Sequence, residues 1–335
     1  MSSERLFGYL ADGRAVHALP LTATGGLEVE ILTYGAIVRS LRVPSRGQRN
    51  ETVVGFDTIE AYENDRTYQG CIVGRTVNRM RSGRFERDGQ IYQVTQNEGE
   101  NHLHGGSLGL TRRIWQAGER MDDSDPVVLS YVSPAGEEGY PGVLHATIRF
   151  SLPTPRSLEI SYEADVDAPC PVDLTHHLYF NLGQDAGEDI RDHVLGVSGD
   201  QIVEVDSASL ATGRLLSVDD TPFDLRAPRR LGDALSEVHP QLTAIGLNQS
   251  WVTNGRGDTV VNLLSPKTGL CMKQMSDQPC LQVWSGLSRD VTWAGAVALE
   301  PQGFTDAVNV RAFPSAWLEP GDRYRRTTTY SFEAV

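Results

Sequence analysis

Period-two alternation of apolar and polar residues recurs along this chain, and it restricts the fold more than any other feature. Ala146, Ile148, Phe150 and Leu152 alternate with polar neighbours, and after a turn at Pro153–Pro155 so do Leu158, Ile160, Tyr162, Ala164 and Val166. Leu27, Val29 and Ile31, and later Leu281, Val283 and Ser285, repeat the pattern. Successive side chains of a strand point to opposite faces, so each run reads as a strand with one buried face. Asp88–Gly89, between Phe85 and Ile91–Tyr92, is a two-residue hairpin signal, and Ser265–Gly269 reads as a longer hairpin turn. Helical patterns are short: Thr58 to Asn64, and Asp233 to about Val238 before Pro240. No strand–helix–strand rhythm supports a doubly wound sheet. The expectation is an all-β chain, one large, mainly antiparallel sandwich with a few short helices, spanning residues 1–335 as a single domain.

Composition removes several function classes. The chain carries 30 Lys+Arg against 44 Asp+Glu, a net charge of −14, which argues against nucleic acid. Lys267 and Lys273 are its only lysines, and both fall near a predicted solvated hairpin, a poor setting for Schiff-base chemistry. Cys71, Cys170, Cys271 and Cys280 have no CxxC spacing and read as reduced core thiols. Glycine-rich phosphate loops and HExxH are absent. Met1 to Leu10 has no apolar signal core, and the run Val291 to Leu299 is too short to cross a bilayer. These bounds predict a soluble, cytoplasmic protein that binds neither nucleic acid nor membrane, and they do not yet give a function.

What remains is an uneven distribution of histidine. His102 and His104 precede Gly105–Gly106, and His176 and His177 lie within Asp173-Leu-Thr-His-His-Leu-Tyr-Phe-Asn-Leu182. On a strand the first pair shares a face, whereas the second divides between faces, so one functional and one structural histidine per pair is expected. Glu300 closes the apolar run Val297-Ala-Leu and precedes Pro301, which places it at a strand end. A carboxylate buried there needs a partner. Arg75 and Arg79, followed by Arg81 and Arg84, read as a solvated cluster. Three uses of these pieces stay open. Glu and His can form an acid–base pair; His102, His104, His177 and Glu300 can ligate a metal; or the polar groups, with Trp284 or Phe304 as a stacking platform, can bind sugar without chemistry.

Asn101-His-Leu-His-Gly-Gly106, Gly139-Tyr-Pro-Gly142, the Leu-Thr-x-His-x-Tyr-Phe-Asn-Leu run at 174–182, and Leu299-Glu-x-Gln302 with Asp306 and Asn309 together resemble the aldose 1-epimerases, or galactose mutarotases. The ending Phe313-Pro-Ser315 and Pro320-Gly-Asp-x-Tyr324 is similar too. The resemblance implies a large β-supersandwich with an open sugar cleft and interconversion of the α and β anomers of a free monosaccharide, with no cofactor and no metal. It also implies that Glu300 is the general base and His177 the general acid. Sugar contacts then fall on Asn78, Arg79, His104, Tyr179, Gln282 and Asn248. The last stands in Gly246-Leu-Asn-Gln-Ser-Trp251, where the family usually carries Asp. Asn both donates and accepts, whereas ionised Asp only accepts, so hydroxyl recognition differs at that point. The alternative is a sugar-binding or sensing protein on the same fold.

Overall fold

The computed structural model describes residues 3–183, 189–242, 246–286 and 295–335. Residues 1–2 of the chain start and 291–294 of the apolar run Val291–Leu299 lie outside them. Three antiparallel sheets carry the structure. The first joins Arg5–Tyr9, Ala15–Thr22, Glu28–Leu32, Val38–Ser45 and Gln48–Glu51 in sequence order. The second has nine strands, with Leu144–Thr154, Ser157–Val166, Tyr324–Ala334, Leu270–Ser276 and Thr259–Ser265 as consecutive neighbours at its centre. The third has six, in the order Tyr179–Phe180, Val297–Gln302, Cys280–Trp284, Asn248–Val252, Gln201–Val205 and Ala211–Ser217.

Alternation decides which faces meet. Leu158, Ile160, Tyr162, Ala164 and Val166 are buried on one face of their strand, as their spacing predicts. Leu281, Val283, Val297 and Leu299 of the six-stranded sheet share one apolar core with Ile148, Ile160, Leu263, Met272 and Phe332 of the nine-stranded sheet. Phe180 and Tyr330 touch across that gap with ring centroids 5.2 Å apart, and Gln274 donates to the Leu299 carbonyl at 3.1 Å. The result is a large antiparallel β-supersandwich.

Local turn chemistry follows the sequence. Asp88 and Gly89 both take left-handed backbone, φ 51° and 78°, which twists the hairpin in the sense its strands need. Thr58 caps the helix Ile59–Asn64 by accepting from Ala61 N at 3.3 Å. The second helix, Leu231–Ser236, begins two residues earlier than the sequence suggests. Its first turn starts where buried Leu231 donates to the His193 carbonyl, and it ends before Val238. Among the described residues no helix is long and apolar enough to cross a membrane.

Candidate active site

The face of the six-stranded sheet opposite the core builds a concave surface. In Val297–Gln302, Val297 and Leu299 point into the core, so Ala298 and Glu300 point away from it. Leu281 and Val283 do the same in Cys280–Trp284, turning Gln282 and Trp284 outward. Gln282 lies opposite Glu300 in the ladder and Ser250 lies opposite Gln282, which puts Asn248 one diagonal step away. A cavity of about 250 Å³ opens over this row.

Glu300 sits inside its strand, not at its end. Pairing continues through Pro301, opposite Leu281, to Gln302. Proline is tolerated there because the outer neighbour Tyr179–Phe180 reaches only Ala298 and Val297, so no ladder bond needs the missing N–H on that side.

The opposite wall comes from two histidine segments. The strand His102–Leu103 pairs with Arg79–Met80 and then stops, and His104 turns over with φ 52°. Gly105, φ 84°, follows immediately; a Cβ on it would lie 1.7 Å from the Gly74 carbonyl oxygen. The turn separates the first pair, contrary to the shared face expected of a continuous strand. His102 is buried between the Thr95 carbonyl at 2.6 Å and the Tyr140 hydroxyl at 2.7 Å, whereas His104 lines the cavity. In the second pair His176 bonds Tyr162 and the Ala36 carbonyl inside the core, each at 3.0 Å. His177 faces the cavity between Tyr179 and Tyr68, ring centroids 4.8 and 6.2 Å away.

His177 Nε2 lies 3.4 Å from Glu300 Oε1. Glu300 Oε2 and His177 Nδ1 are buried and have no hydrogen-bond partner among the described residues. Burial pushes the Glu300 carboxyl up to about 8 and the His177 imidazole down to about 3. An adjacent carboxylate alone would have favoured imidazolium, but desolvation of both groups outweighs it. The pair therefore holds one shared proton through neutral pH, and burial favours that proton on Glu300.

Asn78, Arg79, Tyr179, Gln282 and Asn248 also line this cavity, with His104, His177 and Glu300. Arg79 gives Nε and Nη2 to Glu98 at 2.8 and 2.7 Å. Tyr179 donates its hydroxyl to the Thr67 carbonyl at 2.6 Å. Trp284 lines the wall, but Phe304 lies in a separate, neighbouring cavity with Asp173 and Asp306. Arg66, Thr67, Tyr68 and Leu103 complete the lining; the first three carry no pattern that marks them in the sequence, and Leu103 lies inside the Asn101–Gly106 motif. Arg75 is not in a solvated cluster; it is 2 % exposed. Its guanidinium donates to Ser133 Oγ and to the carbonyls of Ser133, Pro134, Pro141 and Gly142.

His104, His177 and Glu300 bring possible ligand atoms within 4.8 Å of one another, the geometry a metal reading requires. The tautomer of His104 works against it. Asn78 N–H donates to His104 Nδ1 at 3.3 Å, so the neutral ring carries its proton on Nε2 and offers a donor there.

A cleft with a buried carboxyl–imidazole pair agrees with what this chain resembles. The family model described as Aldose 1-epimerase matches residues 17–331. The galactose mutarotase of Bos taurus is 34% identical over 322 residues, covering 92% of each chain, and the aldose 1-epimerase of Escherichia coli (strain K12) is 31% identical over 339, covering 96% of this chain and 97% of that one. The chain belongs to the aldose 1-epimerase family. Among solved structures, an aldose epimerase homologue from C. elegans superposes with a TM-score of 0.87 at 28% identity, over 96% of this chain and all of that one. A galactose 1-epimerase from Lactobacillus acidophilus gives 0.86 at 25%, over 100% and 99%. As an aldose 1-epimerase the chain is an isomerase that exchanges the α and β anomers of a sugar.

Proposed function

We propose that Glu300 and His177 perform this exchange as a base–acid pair on a free monosaccharide. The observation that carries the reading is the 3.4 Å approach of His177 Nε2 to Glu300 Oε1 on the cavity wall. A volume of about 250 Å³ equals roughly eight waters, the scale of one sugar ring. The closed sugar binds the charge-separated form of the pair. Glu300 takes the proton of the anomeric hydroxyl while His177 gives one to the ring oxygen, and the C1–O5 bond breaks to leave an aldehyde. The protonated Glu300 and neutral His177 that result are the arrangement burial favours, so the open chain meets a relaxed pair. Rotation about C1–C2 exposes the other carbonyl face. Closure then runs the same transfers backwards, and the pair returns to its starting state.

His104 Nε2–H and the Nη1 of Arg79 are the donors that hold sugar oxygens while the ring turns. A sugar-binding module without chemistry gains nothing from burying a carboxyl whose second oxygen is unpaired, a costly arrangement. The test is Glu300→Gln. Polarimetry is expected to show loss of anomer equilibration, with sugar affinity retained in titration calorimetry. A near-normal rate for that variant overturns the assignment.

A further inference from the structure

We propose that Glu98, which does not line the cavity, is a positioning residue for anomer exchange. Its carboxylate holds the Arg79 guanidinium toward the sugar and offsets the charge that this guanidinium brings to the Glu300–His177 pair. The inference rests on the base–acid reading of that pair and concerns the same cavity.

The turn that carries Glu98 is fixed independently of Arg79. Glu98 and Asn101 exchange both backbone hydrogen bonds, at 3.1 and 3.0 Å, around Gly99 with φ 59°. Asn97, one residue earlier, grips Leu103 twice, accepting from its N–H at 2.7 Å and donating to its carbonyl at 2.9 Å. Leu103 in turn lies opposite Arg79 in the ladder. Backbone geometry therefore delivers the Glu98 carboxylate to the flank of Arg79.

Arg79 is held at both ends. Its backbone N–H donates to Asn78 Oδ1 at 2.8 Å, and its Nε and Nη2 donate to the two Glu98 oxygens at 2.8 and 2.7 Å. A two-bond fork fixes the plane of the guanidinium as well as its place. Nη1 is left on the edge away from Glu98, where it makes no hydrogen bond among the described residues. An untethered arginine would have to be ordered by the sugar itself, which costs side-chain entropy on every binding event.

Charge is the other half of the role. Glu300 meets His177 and His104, whose ligand atoms lie within 4.8 Å of it, and burial holds both imidazoles below their usual range. Burial likewise holds the phenols of Tyr68, Tyr179 and Tyr330 above theirs, so these groups are uncharged at neutral pH. Arg66 lines the cavity with Asp65 beside it in the chain. Arg79 draws the Glu300 carboxyl down, against the larger upward push of burial. A carboxylate bonded to that guanidinium weakens its pull and helps the pair keep its proton.

The experiment follows polarimetric kcat/KM against pH in wild type, Glu98→Gln, Glu98→Asp and Glu100→Gln. Glu98 is partly exposed, so the variants are expected to fold. Glu98→Gln keeps the shape and removes the charge. It is expected to move the alkaline fall of the profile to lower pH by about 0.5 or more. Glu98→Asp keeps the charge but is too short to reach both nitrogens from the same backbone. It is expected to raise KM about three- to tenfold, with less change in kcat and the alkaline fall where wild type has it. Glu100 is an exposed carboxylate of the same turn with no bond to Arg79, and Glu100→Gln is expected to alter neither. An alkaline fall unmoved in Glu98→Gln, an equal move in Glu100→Gln, or an unchanged KM in Glu98→Asp overturns the proposal and leaves the Glu300–His177 pair standing. If Glu300→Gln keeps its activity, the pair falls and this inference with it.

Discussion

Asn78 and His104 bond each other twice: Asn78 N–H donates to His104 Nδ1 at 3.3 Å, and His104 N–H donates to the Asn78 carbonyl at 3.1 Å. Both residues adopt left-handed backbone, φ 62° and 52°, so the two turns lock together. Burial also holds His104 well below the usual imidazole range. Nitrogen-15 NMR is expected to show it as the neutral Nε2–H tautomer through the pH range in which a free imidazole titrates. Removing it in His104→Ala should raise KM about tenfold with a smaller fall in kcat, the signature of a binding group. A His104 signal that titrates near pH 6.5 contradicts this account.

The rate should follow the shared proton. With His177 near 3 and Glu300 near 8, one proton is held across neutral pH. Polarimetric kcat/KM, corrected for the spontaneous reaction, is expected to be flat from about pH 5 to 7.5. It should fall above pH 8 with the slope of a single proton, because a pair without its proton has no acid. A rate still climbing at pH 9 would exclude this assignment of roles.

Glu300→Gln should separate catalysis from stability. Loss of the base is expected to lower kcat by about 10²–10⁴-fold. A carboxyl whose folded value lies above its unfolded one contributes stability that is full below about 4.5 and lost as pH rises through about 8. The glutamine has no charge to bury, so its melting temperature should exceed wild type by a few °C at pH 8.5 and by less at pH 5. Equal differences at the two pH values would show that Glu300 ionises in the fold without penalty.

Arg75 makes a stability prediction that leaves the chemistry aside. Its fork satisfies four carbonyls from the segments Ser133–Pro134 and Pro141–Gly142. Arg75→Met is expected to cost at least about 3 kcal/mol in urea unfolding, and Arg75→Lys to recover only part of it. A loss under 1 kcal/mol would mean that these carbonyls find other donors.

The strands were legible because a two-residue period survives in the amino-acid order: Leu158 to Val166 buries the side its spacing names. The cavity is lined by all eight side chains that the family resemblance singles out, from Asn78 to Glu300. Residue spacing alone could not have joined them, since 222 positions separate Asn78 from Glu300 and only the sheet order brings them together. The misreadings share a cause. Arg75 looked solvated because its five oxygen acceptors come from residues 133–142. His104 left the face of His102 because a positive φ, invisible in side-chain pattern, ends the strand. Phe304 fell outside the cleft, beyond the end of the Val297–Gln302 strand.

Glu300, Gln282 and Ser250 stand across three neighbouring strands in ladder register. Adjacent strands lie about 4.8 Å apart, so the sheet acts as a ruler whose divisions the side chains cannot alter. Exchanging a residue on this row changes which substituent a sugar is asked to present, while the distance from that substituent to the base stays fixed. New substrates can therefore be reached one mark at a time without disturbing the reaction at the zero of the scale.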